Sequence, residues 1–173
     1  MDRRGFLKGM AMGCTTAAVP LVSANTETSY VSAAVPMYRF FTKEEALTAG
    51  AICEQIVPRD EYPGAQESGV INFVDGVLSG PMGRFYKVQY RKGLAMVEKL
   101  SRERHGKSFV ALGWDDQTSI LRDFESGAAA GAPGKKFFAQ ILMHTMEGYY
   151  GDPSGGGNRG AASWKMISFR GTV

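Results

Sequence analysis

From residue 42 onward apolar residues return every three or four positions, the period of helices that bury one face. Thr42-Lys43-Glu44-Glu45 reads as a capping box, in which threonine and glutamate each satisfy the other's free amide. It opens a helix with Leu47, Ala51, Ile52 and Ile56 on one face, stopped by Pro58. After a loop from Arg59 to Ser68 containing Pro63-Gly64, a short helix carries Val70, Phe73, Val74 and Val77. Ser79-Gly80-Pro81-Met82-Gly83 breaks the chain. The longest helix is predicted from Arg84 to His105, with Tyr86, Tyr90, Leu94, Val97 and Leu100 inward and Gly106 as its stop.

A fourth helix is expected from Asp115 to Glu125, packing through Ile120, Leu121 and Phe124. Small residues from Gly127 to Gly134 link it to a last helix bearing Phe137, Phe138, Ile141, Leu142, Thr145 and Tyr149, with Pro133 near its first turn. No run alternates with period two, and no internal repeat is visible. The pattern predicts an all-α domain, a small bundle of about five helices with an irregular tail rich in glycine and aromatics.

The first 24 residues stand apart. Asp2-Arg3-Arg4-Gly5-Phe6-Leu7-Lys8 precedes a weakly apolar run, Gly9 to Val22, and Val22-Ser23-Ala24 supplies small residues at a cleavage site. Arg3, Arg4, Phe6, Leu7 and Lys8 match the twin-arginine export pattern, with cleavage after Ala24. This divides the chain into a signal peptide, 1–24, and a single domain, 25–173, and places the mature protein in the periplasm. Ala11-Met12-Gly13 makes a poor acylation site ahead of Cys14, so an export signal is preferred to a lipid anchor. Twin-arginine export moves folded proteins, usually because a cofactor is inserted in the cytoplasm. On a domain without an evident cofactor, such a signal suggests that the cargo is a partner.

Composition narrows the chemistry. With 173 residues, 44% apolar and 21% charged, the chain is an ordinary globular protein with room for one core. The net charge of +3 loses Arg3, Arg4, Lys8 and Asp2 with the signal. The nearly neutral remainder lacks the concentrated basic face that nucleic acid needs. Basic residues gather between Arg84 and Lys107, interrupted by glutamates, the pattern of a solvated helix face. Cleavage leaves Cys53 without an intramolecular partner; a buried, inert thiol and a contact with another subunit both fit it.

Gly155-Gly156-Gly157-Asn158-Arg159-Gly160 satisfies G-x-G-x-x-G but follows a helix rather than a strand, so no dinucleotide site is expected. His105 and His144 lie on different helices, and neither zinc-type spacing nor a haem-attachment motif is present. His144 reads as a core or interface histidine, with a catalytic base as the remote alternative. Asp115-Asp116 and Glu44-Glu45 complement helix dipoles at helix starts. No catalytic, cofactor or metal residue is therefore assigned. What remains is the tail, 148–173, with too many aromatics for a disordered linker. Tyr149, Tyr150, Asn158, Trp164, Met166 and Phe169 are the candidate partner interface.

Gly148-Tyr149-Tyr150-Gly151-Asp152-Pro153, then Gly156-Gly157-Asn158 and Ser163-Trp164-Lys165-Met166-Ile167, resembles the closing motif of the gluconate 2-dehydrogenase subunit 3 family. Ile56-Val57-Pro58-Arg59 and Pro63-Gly64-Ala65 resemble that family's first helix exit and loop, and the leader is typical of it. The resemblance implies a non-catalytic small subunit of a membrane-associated dehydrogenase acting on gluconate or a related sugar or polyol. Its implied partners are a glucose–methanol–choline-type flavoprotein holding FAD, a c-type cytochrome carrying haem c, and the twin-arginine translocase. The small subunit would support folding and export of the flavoprotein, which usually lacks its own signal. A free-standing periplasmic scaffold and an independent enzyme, for example one using His144 with Asp152, are the alternatives.

Overall fold

The structure, a computed structural model, describes residues 38–170. Arg3, Arg4, Phe6, Leu7, Lys8 and Ala24 lie outside the described residues. Six α-helices follow in order: α1 Lys43–Ile56, α2 Val70–Ser79, α3 Lys87–His105, α4 Trp114–Ser126, α5 Gly131–Tyr150 and α6 Ala162–Met166. Among the described residues there is no strand. The all-α expectation holds, and these helices lie in one compact unit, Pro36–Val173.

α5 is the centre of the bundle and packs against α1, α2, α3 and α4. Its Phe137, Ile141, His144, Thr145 and Gly148 recur every three or four residues and are buried against those neighbours. Phe137 lies edge-on to both Tyr90 of α3 and Phe124 of α4, with ring centroids 5.7 and 6.2 Å away.

The capping box at α1 forms as expected: the Thr42 hydroxyl accepts from the Glu45 amide, and the Glu45 carboxylate accepts from the Thr42 amide. The buried face of α1 differs from expectation in part. Ala51 and Ile52 lie inward as expected, but Leu47 is 54% exposed, and Ala46, Ala49, Gly50 and Cys53 share the buried face. Leu47 is left on the wall of a groove with Leu94 and Val110.

The α3 helix begins later than the periodicity suggests. Pro81–Phe85 forms a 3-10 turn, and α3 proper starts at Lys87. Gly83 sits so close to the Leu78 carbonyl that a side chain has no room, which keeps this stretch in the tighter coil. Gly106 ends α3 in the left-handed region (φ 68°), as its position suggested.

One acidic residue in the apolar α2 has a defined task. The Asp75 carboxylate is buried and accepts three consecutive backbone amides, from Arg39 (2.8 Å), Phe40 (2.9 Å) and Phe41 (3.1 Å). Charge-assisted bonds of this kind satisfy a carboxylate that would otherwise be costly to bury. They fix the strand of chain that leads into α1.

The tail is more regular than expected. It holds two short 3-10 turns, Pro153–Gly155 and Arg159–Ala161, and then α6. Gly157 lies against the Gly148 backbone where a Cβ would strike the carbonyl, so only glycine permits this approach.

Candidate partner interface

The tail is clasped to the bundle by backbone and side-chain bonds. Asn158, buried and in the left-handed region (φ 43°), donates from Nδ2 to the Gly151 carbonyl at 2.8 Å. Its Oδ1 accepts the Ser163 amide at 3.0 Å, joining the end of α5 to the start of α6. The Arg159 amide donates to the Ser68 carbonyl, and the Tyr149 hydroxyl donates to the Pro63 carbonyl. The G-x-G-x-x-G stretch is thus a structural clasp that follows a helix and a 3-10 turn.

These contacts separate the six candidate interface residues. Tyr149, 3% exposed, and Asn158, fully buried, are internal supports. Tyr150 and Phe169 are exposed, and Trp164 and Met166 are half-buried. Trp164 Nε1 donates to the Tyr150 carbonyl at 2.9 Å, and the Trp164 and Phe169 rings meet edge to face. Tyr150, Trp164 and Phe169 therefore form one aromatic ledge at the end of α5.

The ledge continues along α5. Opposite its buried face, Ala139, Leu142, Met143, Met146 and Tyr150 point outward at helical spacing, and the four large side chains are 36–42% exposed. Lys135 and Lys136 mark the N-terminal end of this stripe and Glu147 its flank. A helix central to its own bundle that is also apolar outside has a second surface to cover. Methionine and aromatic side chains are the residue types enriched in interface cores. Leu142, Met143 and Met146 were missed as candidate interface residues because Leu142 fits the inward pattern equally well. The available signal was the apolar character of this helix on both faces.

Three titratable groups with shifted affinity for protons, Tyr90, His144 and Cys53, are interior, whereas Asp152, held low by its bonds to Ser154, is exposed. His144 Nδ1 and the Tyr90 hydroxyl share a 2.8 Å hydrogen bond, and their rings stack. Tyr86 packs edge-on against the same imidazole. Burial pushes the Tyr90 hydroxyl well above its ordinary value, reinforced by Cys53 and Glu147. Burial pushes His144 below its ordinary value, with Glu147 acting in the opposite direction. At 2% exposure, His144 cannot meet a substrate. Asp152, which the sequence allowed as its partner, instead caps the Ser154 amide. Cys53 is buried, and its thiol is pushed up to about 11, mainly by burial. Its sulfur lies 3.2 Å from the Thr145 hydroxyl, which donates to the Ile141 carbonyl. This is the inert-thiol reading, without access for another subunit. No cluster of metal-ligating side chains occurs among the described residues.

The lowered His144 affinity makes stability depend on pH in a defined direction. The unfolded chain takes up a proton near the ordinary histidine value of about 6.5, whereas the folded chain resists it. Stability should therefore fall as pH drops through about 6.5. Thermal melts from about pH 7.5 to pH 5 should show a declining midpoint, with the part due to His144 absent in His144→Gln. An identical slope in that variant would exclude His144 as a source.

No curated protein and no solved structure matches the chain. The sequence profile of gluconate 2-dehydrogenase subunit 3 matches residues 43–171, which run from the first residue of α1 through the aromatic ledge. The resemblance read from the tail motif is borne out, and the chain belongs to the gluconate 2-dehydrogenase subunit 3 family.

Proposed function

We propose that this chain is a non-catalytic small subunit that binds a flavin-dependent dehydrogenase and carries it, folded, through the twin-arginine translocon to the periplasm. The observation that carries the docking role is the continuous apolar surface from Leu142 through Met146 and Tyr150 to Trp164 and Phe169. The partner is a large glucose–methanol–choline-type flavoprotein that holds FAD and oxidises gluconate or a related sugar or polyol. A c-type cytochrome subunit takes the electrons onward. The Arg3-Arg4 leader supplies the address for both folded chains.

Support comes from family membership, from the leader, and from the burial of Tyr90 and His144. Two small changes test the carrier role. In cells expressing this chain with its flavoprotein, Arg3→Lys with Arg4→Lys should strand both chains and the flavin-dependent activity in the cytoplasm. A flavoprotein that still reaches the periplasm would show that it travels by another route and end the carrier reading.

A further inference from the structure

The three most exposed large apolar side chains of the described residues are neighbours. Val88 (64%), Met82 (61%) and Phe85 (59%) recur at spacing three across the 3-10 turn and the start of α3. In a 3-10 coil residues three apart eclipse one another, so Met82 and Phe85 stand on one edge and Val88 continues it. The ridge is built on elements that pack on the inward side of α5, where Tyr86 meets His144 at 5.2 Å between ring centroids. It is therefore separate from the outward stripe proposed to hold the flavoprotein.

The stretch of chain that builds it carries one sign of charge. Between Asp75 and Glu98 the sequence has no acidic residue and contains Arg84, Lys87, Arg91 and Lys92. Arg91 is paired with Glu45. Arg84 lies over the Phe85 ring, 4.7 Å from its centroid, and among the described residues no ion pair is formed by Arg84, Lys87 or Lys92. At the foot of the ridge, Arg39, Lys87 and Ser79 line a hollow of about 310 Å³. Two cationic side chains and a hydroxyl on one hollow suit a phosphate headgroup.

We propose that this ridge is a docking surface for an anionic lipid bilayer. Met82, Phe85 and Val88 enter the interface between headgroups and acyl chains, while Arg84, Lys87 and Lys92 meet lipid phosphates, with one headgroup in the Arg39–Lys87 hollow. Apolar side chains bordered by cations are the recognised design of a segment that lies on a membrane. Among the described residues no helix is long and apolar enough to cross one, so the contact is with the surface. The ridge side chains stand about 60% clear of the protein, against 36–42% for the α5 stripe. Side chains that stand clear of their own fold suit insertion into a soft medium. The flatter stripe suits a preformed protein surface.

The experiment uses the full chain and phosphatidylcholine vesicles with and without phosphatidylglycerol. A Phe85→Trp variant reads the site directly. Relative to wild type, its added emission should shift to the blue on phosphatidylglycerol vesicles and be quenched by brominated acyl chains. In flotation, Met82→Ser with Phe85→Ser should weaken binding about tenfold or more, because two apolar side chains lose their burial. Arg84→Gln, Lys87→Gln and Lys92→Gln together should remove the preference for phosphatidylglycerol and the sensitivity to salt. All substituted side chains are on the surface, and circular dichroism confirms folding. The proposal is overturned if wild type shows no phosphatidylglycerol-dependent binding. It is also overturned if the Phe85→Trp emission stays unchanged while the chain floats, since the contact is then elsewhere. Loss of flavoprotein co-purification in Met82→Ser/Phe85→Ser, with vesicle binding intact, would make the ridge a protein interface instead.

Discussion

Met146→Glu is expected to weaken association with the proposed flavoprotein partner more than about a hundredfold while leaving this chain folded. Met146 lies at the centre of the outward stripe, one turn from both Leu142 and Tyr150. It is 40% exposed in the free chain. A glutamate there stays hydrated, and the change in stability should remain within about 0.5 kcal/mol. Once a partner covers the stripe, the same carboxylate loses its water among apolar side chains without a compensating donor. Burying an unpaired charge costs several kcal/mol, and about 2.8 kcal/mol already corresponds to a hundredfold in affinity. Co-purification of the flavoprotein with a tagged chain, read beside a thermal melt, checks both halves. Normal recovery of the partner with Met146→Glu would remove α5 from the interface. Lys135→Ala, beyond the apolar part of the stripe, should bind within about threefold of wild type.

Gly93→Ala should destabilise the isolated domain by about 2–3 kcal/mol. Gly93 is the point where α3 crosses α5, and a methyl group there would fall within the Phe137 ring. The ring has no simple retreat, because Tyr90 stands against one side and Phe124 against another, and all three are fully or almost fully buried. Alanine is the better helix former by about 1 kcal/mol, so a net loss of this size means that the steric cost dominates. The urea midpoint should drop accordingly. Phe137→Leu by itself should also destabilise, but combined with Gly93→Ala it should cost less than the sum of the two. Strict additivity would show that the methyl group and the ring do not compete for space.

The legible parts of the fold were those written in local chemistry. The Thr42–Glu45 box, the glycine that ends α3 and the limits of α4 each depend on a few adjacent residues, and sequence alone places them well. The faces of α1 and α5 were harder, for a common reason. In α1 the expected Ala51 and Ile52 are buried, but so are the small residues Ala46, Ala49, Gly50 and Cys53. A search for large apolar residues selects Leu47 instead. In α5 both sides are apolar, so periodicity finds the helix but cannot say which side belongs to the core. Tyr149 and Tyr150 show this within one dipeptide: the first is buried and bonded to the Pro63 carbonyl, and the second is exposed. The role of Asn158 depends on a left-handed backbone and on amides from two other segments, which no local pattern encodes. Asp75 carried a readable signal, since a lone acid inside an apolar helix needs donors when it is buried. Which amides would supply them is decided only by the approach of residues 39–41.

The Asp75 clamp also determines how this domain bears mechanical load. A tug on the chain ahead of Tyr38 meets the bonds at Arg39, Phe40 and Phe41 before it reaches the capped first turn of α1. Force entering there passes through one carboxylate into α2, a helix in contact with both α1 and α5. Peeling from the N-terminal side thus begins by breaking a charge-assisted three-bond anchor, not by fraying a free helix end. A domain towed by that end is fastened to the tow line at its interior.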